Sequence, residues 1–139
     1  MPDVDSTMQD RGPVPGYVHV SLTSQETVAD EGRVVTFGTA ESTCKTCDDG
    51  EVVVGWSQGR LVEDKVASIN LYSPQWKTLV ADASDPISFG DVVSVVTNGT
   101  LIRTGNGNTG DGYAMNDAVA ASYLLWIYNC CAVGTAATS

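Results

Sequence analysis

Four cysteines are the first residues whose type and spacing could do chemistry. Cys44-Lys45-Thr46-Cys47 has the C-x2-C spacing that lets two thiolates hold one tetrahedral ion, and Cys130-Cys131 could complete a four-thiolate zinc set. The second pair is the weaker half. Adjacent strand residues point to opposite faces, so Cys130 and Cys131 could both ligate only from an irregular loop. A redox C-x-x-C sits at a helix N-terminus in an α/β fold, whereas this one lies in a β-rich chain. Structural metal, disulfides formed after release from the cell, and unpaired thiols all remain open.

The other chemical candidates read more plainly as structure. His19 is the single histidine and lies in a strand pattern, with no G-x-S-x-G context for a nucleophile, so a core or interface role is expected. Gly105 to Gly110 spells G-x-G-x-x-G, but a dinucleotide site needs a βαβ unit of about 30 residues with an acid about 20 residues on. Fewer than 30 residues follow Gly110, so the stretch reads as a hairpin or interface loop. Asn106, Asn108, Asp111 and Asp117 offer oxygens to a cation such as calcium. An EF-hand loop begun at Asn106 would put Asp111 where glycine is required. Asn98-Gly99-Thr100 is an N-x-T sequon that a tight turn already explains. Trp56, Trp76 and Trp126 read as core or interface aromatics. Acid–base catalysis wants clustered titratable groups, and the carboxylates here fall in loop-like stretches without a His or Lys partner, which argues against an enzyme.

These residues must be positioned by strands. Val92, Val93, Val95 and Val96 are β-branched and suit a pleated surface, Asn98-Gly99 supplies two positive-φ residues for a hairpin turn, and Thr100 to Thr104 returns antiparallel. Ser122 to Asn129 is dense in aromatic and aliphatic side chains and reads as a central closing strand; the Ala-rich Asn116 to Ser122 before it fits a short helical turn. Upstream, strands are expected over residues 17–22, 33–37, 51–56, 60–62, 66–72 and 76–80, with a loop from Glu41 to Gly50 around Cys44 and Cys47. No segment convincingly repeats another. Short β-rich segments punctuated by Gly, Asp and Pro predict an all-β barrel or sandwich with at most one short helix. Residues 17–139 form its single domain. Residues 1–16, with Pro2, Pro13 and Pro15 and no clear period, read as an extended arm ordered on a partner.

Composition limits the partners. With 17 acidic and 7 basic residues the net charge is −10, so nucleic acid and anionic membranes are not expected. Twelve Asp against five Glu and only three lysines resemble the proteins of salt-loving organisms, where screening tolerates such repulsion. No stretch reaches the roughly 18 apolar residues of a transmembrane helix, and the acidic N-terminus is the reverse of a signal peptide, so synthesis in the cytoplasm is expected.

The string from Gly90 to Ala118 resembles the C-terminal half of tailed-phage head-decoration (capsid cement) proteins. Gly90, Asp91 and Val93 match the opening of that pattern, Thr104, Gly107, Asn108 and Thr109 its middle, and Gly112, Ala114 and Ala118 its end. The CKTC stretch, Trp56 and Trp76 are not features of that family. The resemblance implies a non-enzymatic β-barrel-like protein, without a cofactor, on the exterior of an icosahedral virion. It further implies homotrimers at threefold or quasi-threefold positions, and an arm, including Met1, Pro2, Pro13 and Pro15, laid across the major capsid protein. A tail-tube or fibre subunit is the nearest alternative, and a metal-stabilised β module binding a soluble protein partner is another.

Overall fold

The computed structural model describes residues 18–72, 75–82, 84–105 and 107–129. Ten strands run through them: β1 (Val18–Ser24), β2 (Arg33–Phe37), β3 (Thr43–Thr46), β4 (Gly55–Ser57), β5 (Val66–Tyr72), β6 (Trp76–Leu79), β7 (Val92–Val96), β8 (Thr100–Arg103), β9 (Gly112–Ala114) and β10 (Tyr123–Tyr128). The first five close a barrel in the order β1-β3-β2-β4-β5, and the other five form a sheet in the order β6-β10-β9-β7-β8. The chain is all-β, as its punctuated β-branched runs predict.

The predicted hairpin is present. β7 and β8 pair antiparallel around Thr97-Asn98-Gly99, a 3-10 turn in which Asn98 (φ 61°) and Gly99 (φ 72°) are the two left-handed residues. β10 is interior, between β6 and β9. The helical turn expected over Asn116 to Ser122 is replaced by bends and a bridge. Ala118 exchanges backbone hydrogen bonds with Ile87, and Asn116 Oδ1 accepts from Leu125 N at 2.7 Å, so long-range partners satisfy groups that a helix would have paired locally.

Two upstream expectations are also corrected. The stretch around Cys44, expected as a loop, contains β3, in which Cys44 and Thr46 are buried while Thr43 and Lys45 are half-exposed. Its small and polar residues hide a strand alternation. The strand expected over residues 51–56 contracts to β4, and 60–62 supplies only the bridge between Val28 and Leu61.

The register reveals that the chain is built twice, against the expectation of no repeat. β1 to β5 and β6 to β10 have the same connectivity, offset by 56–58 residues. Val34↔Trp56 and Val35↔Gly55 in the first unit match Val92↔Tyr113 and Val93↔Gly112 in the second. Val20↔Ile69 to Thr23↔Val66 match Trp76↔Trp126 to Leu79↔Tyr123. The parallel pair Ser24↔Cys44 matches the parallel bridge Val80↔Leu101, so the second sheet is drawn toward closure as the first is closed. Outside the strands the match continues: Val28↔Leu61 parallels Ile87↔Ala118, and the N–H of Lys65 donates to Val62 O as that of Ser122 does to Val119 O. Asp64 (φ 65°) and Ala121 (φ 61°) hold the same left-handed corner before β5 and β10.

The two units share buried surface. Leu22, Val35, Cys44, Leu61 and Ile69 fill the first barrel. A larger cluster combines Val34, Cys47 and Trp56 of the first unit with Trp76, Val80, Val93, Val95, Leu101, Leu124 and Trp126 of the second. One continuous cluster across both units is what makes them a single core.

Candidate interaction surface

The two thiols of the C-x2-C stretch enter different clusters: Cys44 the first barrel, Cys47 the larger core. Both are buried and free. Burial pushes the Cys47 thiol up to about 12, with Glu51, Asp111 and Asp48 adding to it, and burial together with Glu26 raises Cys44. These are protonated core thiols, and Cys47 Sγ lies 3.5 Å from the Asp48 carbonyl. Among the described residues no three of His, Cys, Asp and Glu gather as a metal-binding group. The other half of the candidate zinc set, Cys130 and Cys131, lies outside the described residues, as do Met1, Pro2, Pro13 and Pro15. Two results follow for the thiols. Ellman's reagent should react with Cys44 and Cys47 only after unfolding, which a time course in rising urea reads directly. Above the usual thiol value of about 9 an unfolded Cys47 ionises while the folded one keeps its proton, so it should draw stability down as pH rises from about 9 toward 12; a Cys47→Ala chain should lack that slope.

The remaining candidates serve the backbone. Asp111 Oδ2 accepts from Val95 N at 2.8 Å and Asp117 Oδ1 from Phe89 N at 2.9 Å, so these carboxylates fasten separate loops and are not gathered around a cation. Asn106 lies outside the described residues. The exposed His19 ring meets Ser68 Oγ at 3.2 Å across the β1–β5 pair. Trp56, Trp76 and Trp126 are all core residues; Trp126 stands edge-on to Trp76, with centroids 5.3 Å apart, and its indole N–H donates to Thr78 Oγ1 at 2.9 Å. An open cleft of about 360 Å³ beside Ile87 and Ala118 has Asp117 as its one titratable lining residue. A second, of about 260 Å³, holds Arg33, whose guanidinium is engaged by Asn98 O at 2.9 Å and Asp30 at 3.3 Å.

The hairpin turn docks one unit on the other. Gly99 N donates to Cys47 O at 2.7 Å, Asn98 N to Asp48 Oδ1 at 2.8 Å, and Arg33 Nη1 to Asn98 O. Lys45 and Glu51 pair at 2.9 Å beside it. The Asp48 N–H and then the Lys45 ammonium hold Glu51 below the usual carboxylate range, while the Glu51 hydrogen bond raises Lys45. The end of the CKTC stretch therefore acts as a receptor for a turn, through the Cys47 carbonyl and the neighbouring Asp48 carboxylate, a role that the C-x2-C spacing does not advertise.

What the fold leaves uncovered is apolar. In β10 Leu124 and Trp126 face the core, while Tyr123, Leu125 and Ile127 are exposed on the outer face, with Lys77 Nζ 4.9 Å from the Tyr123 ring centre. In β1, residues Val18 to Ser21 are all exposed and pair only with β5 among the described residues. Phe37 at the end of β2 is exposed as well. Ordinarily the solvated side of an antiparallel strand is polar, whereas the outward residues of this one are Tyr, Leu and Ile.

No protein-family model matches the sequence, and no curated protein matches it. Among solved structures the chain is similar to the N base of head fibre gp8.5 of bacteriophage phi29, with 14% identity over 82% of this chain and 95% of that one and a TM-score of 0.67. What the two share is the fold. Covering 82% of the chain, the match extends well beyond residues 90–118, which carry the sequence resemblance.

Proposed function

We propose that this chain is a non-enzymatic structural protein of a tailed-virus particle that decorates and stabilises the outer surface of the capsid, as a homotrimer at threefold or quasi-threefold positions. The observation that carries the reading is the fold likeness to a phage head-fibre base over 82% of the chain. The resemblance of residues 90–118 to capsid cement proteins and the outward apolar face of β10 point the same way. In mechanical terms, a shell filled with DNA is under outward pressure. A multimer bridging subunit junctions adds contacts that must break before subunits separate, and several weak contacts act together through avidity. The major capsid protein is the partner this requires, with residues 1–16 as an arm whose ordering cost falls due only on the shell.

Density-gradient-purified particles of the encoding virus should contain the polypeptide in fixed proportion to the major capsid protein, and deletion of residues 1–16 should abolish its binding to stripped heads while leaving the circular dichroism spectrum intact. Particles devoid of the chain would end this reading; undiminished binding after the deletion would remove the arm from it. A second reading is favoured by the same neighbour, itself the base of a head fibre: the chain seats a projecting fibre and does not act as cement. Electron microscopy of decorated heads separates the two, by caps in one case and projecting fibres in the other. Six copies per assembly in place of three would favour a tail-tube subunit.

A further inference from the structure

The exposed apolar surfaces at the two ends of this chain are, we infer, the unpaired halves of one contact, which a second copy of the same chain completes head to tail. The duplication carries the inference. Within one chain the first unit offers β2, β4 and the end of β3, and the second unit fills that face with β6 and the Thr97–Gly99 turn. The second unit carries the equivalent face on β7, β9 and the end of β8. The first unit carries the equivalent inserting parts, β1 and the Gly38–Ser42 turn.

Burial at equivalent positions divides accordingly. Trp76 is 3% exposed against the first unit, whereas its equivalent Val20 is 37% exposed. Val95 is 3% exposed, and its equivalent Phe37 is 61% exposed. Beside the receiving face, on the strands paired with β4 and β9, Asn70 opposite Trp56 is 1% exposed, and its equivalent Ile127 opposite Tyr113 is 40% exposed. Trp56 is buried while its equivalent Tyr113 is half-buried. At these four pairs the residue inside the chain is the more covered of the two, although Val92 and Thr104, the equivalents of Val34 and Cys47, are buried within the second unit itself; Val20, Phe37 and Ile127 are apolar where solvent would favour polar residues. A copy placed as the second unit sits on the first brings Val20 and Phe37 of one chain onto Tyr113 and Ile127 of the next. Charge opposes the contact little, since no Asp or Glu occurs in any of the ten strands and the inserting Gly38–Ser42 turn brings a single carboxylate, Glu41. The contact joins different patches on the two partners, so it repeats until a ring closes.

This contact rests on the internal duplication and not on the virion reading. Failure of the chain to bind heads while the copies still associate would count against the proposed function alone. The test is native mass spectrometry of the wild type, Val20→Asp and Ile127→Asp. The wild type should assemble, and each variant alone should run at the 14.6 kDa monomer mass with an unchanged circular dichroism spectrum. Mixing the two variants should yield a one-to-one complex of twice that mass, because Ile127→Asp keeps a good inserting end and Val20→Asp a good receiving face. A monomeric wild type at about 100 µM, roughly a hundredfold above a micromolar dissociation constant, would overturn the proposal. Variants that still assemble alone, or a mixture that stays monomeric, would overturn it too. Should Ile127→Asp lose the wild-type spectrum, Ile127→Ser takes its place with the same outcomes.

Discussion

Trp126→Ala is expected to cost about 3–5 kcal/mol of unfolding free energy, read as a lower urea midpoint at unchanged slope. Trp126 has no exposed surface and sits in the cluster that joins both units, edge-on to Trp76 and 6.0 Å from the Tyr128 ring centre. Alanine would remove the indole that stands edge-on to the stacked Trp76–Tyr128 pair and leave the Thr78 hydroxyl, itself fully buried, without the N–H that now donates to it. The lost transfer energy, the cavity and the orphaned polar atom all act in one direction. Domains of this size hold only about 5–15 kcal/mol in total, so the variant should be near unfolding at physiological temperature. Trp126→Phe retains most of the ring and should cost clearly less. A loss under about 1 kcal/mol for the alanine change, far below the core-cavity range, would contradict the packing described for this cluster.

Gly99→Ala should have the second large effect, on the order of 2–5 kcal/mol, from a left-handed backbone cost of about 1–2 kcal/mol and overpacking of about 1–3. Gly99 has φ +72°, and a Cβ there would run into the Val34 carbonyl and lie 2.9 Å from Val34 N. Neither atom can retreat, since both belong to the first barrel's β2 strand. The change would also pull Gly99 N from Cys47 O and loosen the turn that fastens the two units. Gly50→Ala is the control: its φ is +85°, equally left-handed, but nothing lies within 4 Å of an added Cβ. It should show the backbone cost alone, and similar midpoints for the two variants would mean that the turn is not seated as described. Thermal melts of both chains, side by side, decide this.

Parts of this molecule were legible one residue at a time. Val92, Val93, Val95 and Val96 followed by Asn98-Gly99 carry their own stereochemistry, and the hairpin stands where those residues put it. β10 was legible for a similar reason: its run of large apolar side chains exceeds what a loop can expose. β3 was not, because Thr-Cys-Lys-Thr has weak alternation and becomes a strand only when β1 and β2 flank it. The same holds for the Ala-rich stretch before β10, where local preference pointed to a helical turn and a bridge to Ile87 overrode it.

The duplication left a trace that a direct comparison of segments could have caught. Gly32-Arg33-Val34-Val35-Thr36 and Gly90-Asp91-Val92-Val93-Ser94 share a glycine, two valines and a β-hydroxyl, and Gly55-Trp56-Ser57 answers to Gly112-Tyr113-Ala114. In both triplets the glycine is demanded by the same crowding, since a Cβ would strike the carbonyl of Asn70 in one and of Ile127 in the other. Few other positions agree, because pairing between strands is made by backbone groups common to every residue.

By itself, then, the amino-acid order determined an acidic all-β chain, its hairpin and its closing strand. Only the tertiary structure decided that ten strands make two copies of one unit, that the C-x2-C thiols enter separate cores, and which apolar residues stay outside. Those outcomes depend on which distant backbone edges meet, and hydrogen bonds between main chains leave almost no mark on side-chain identity.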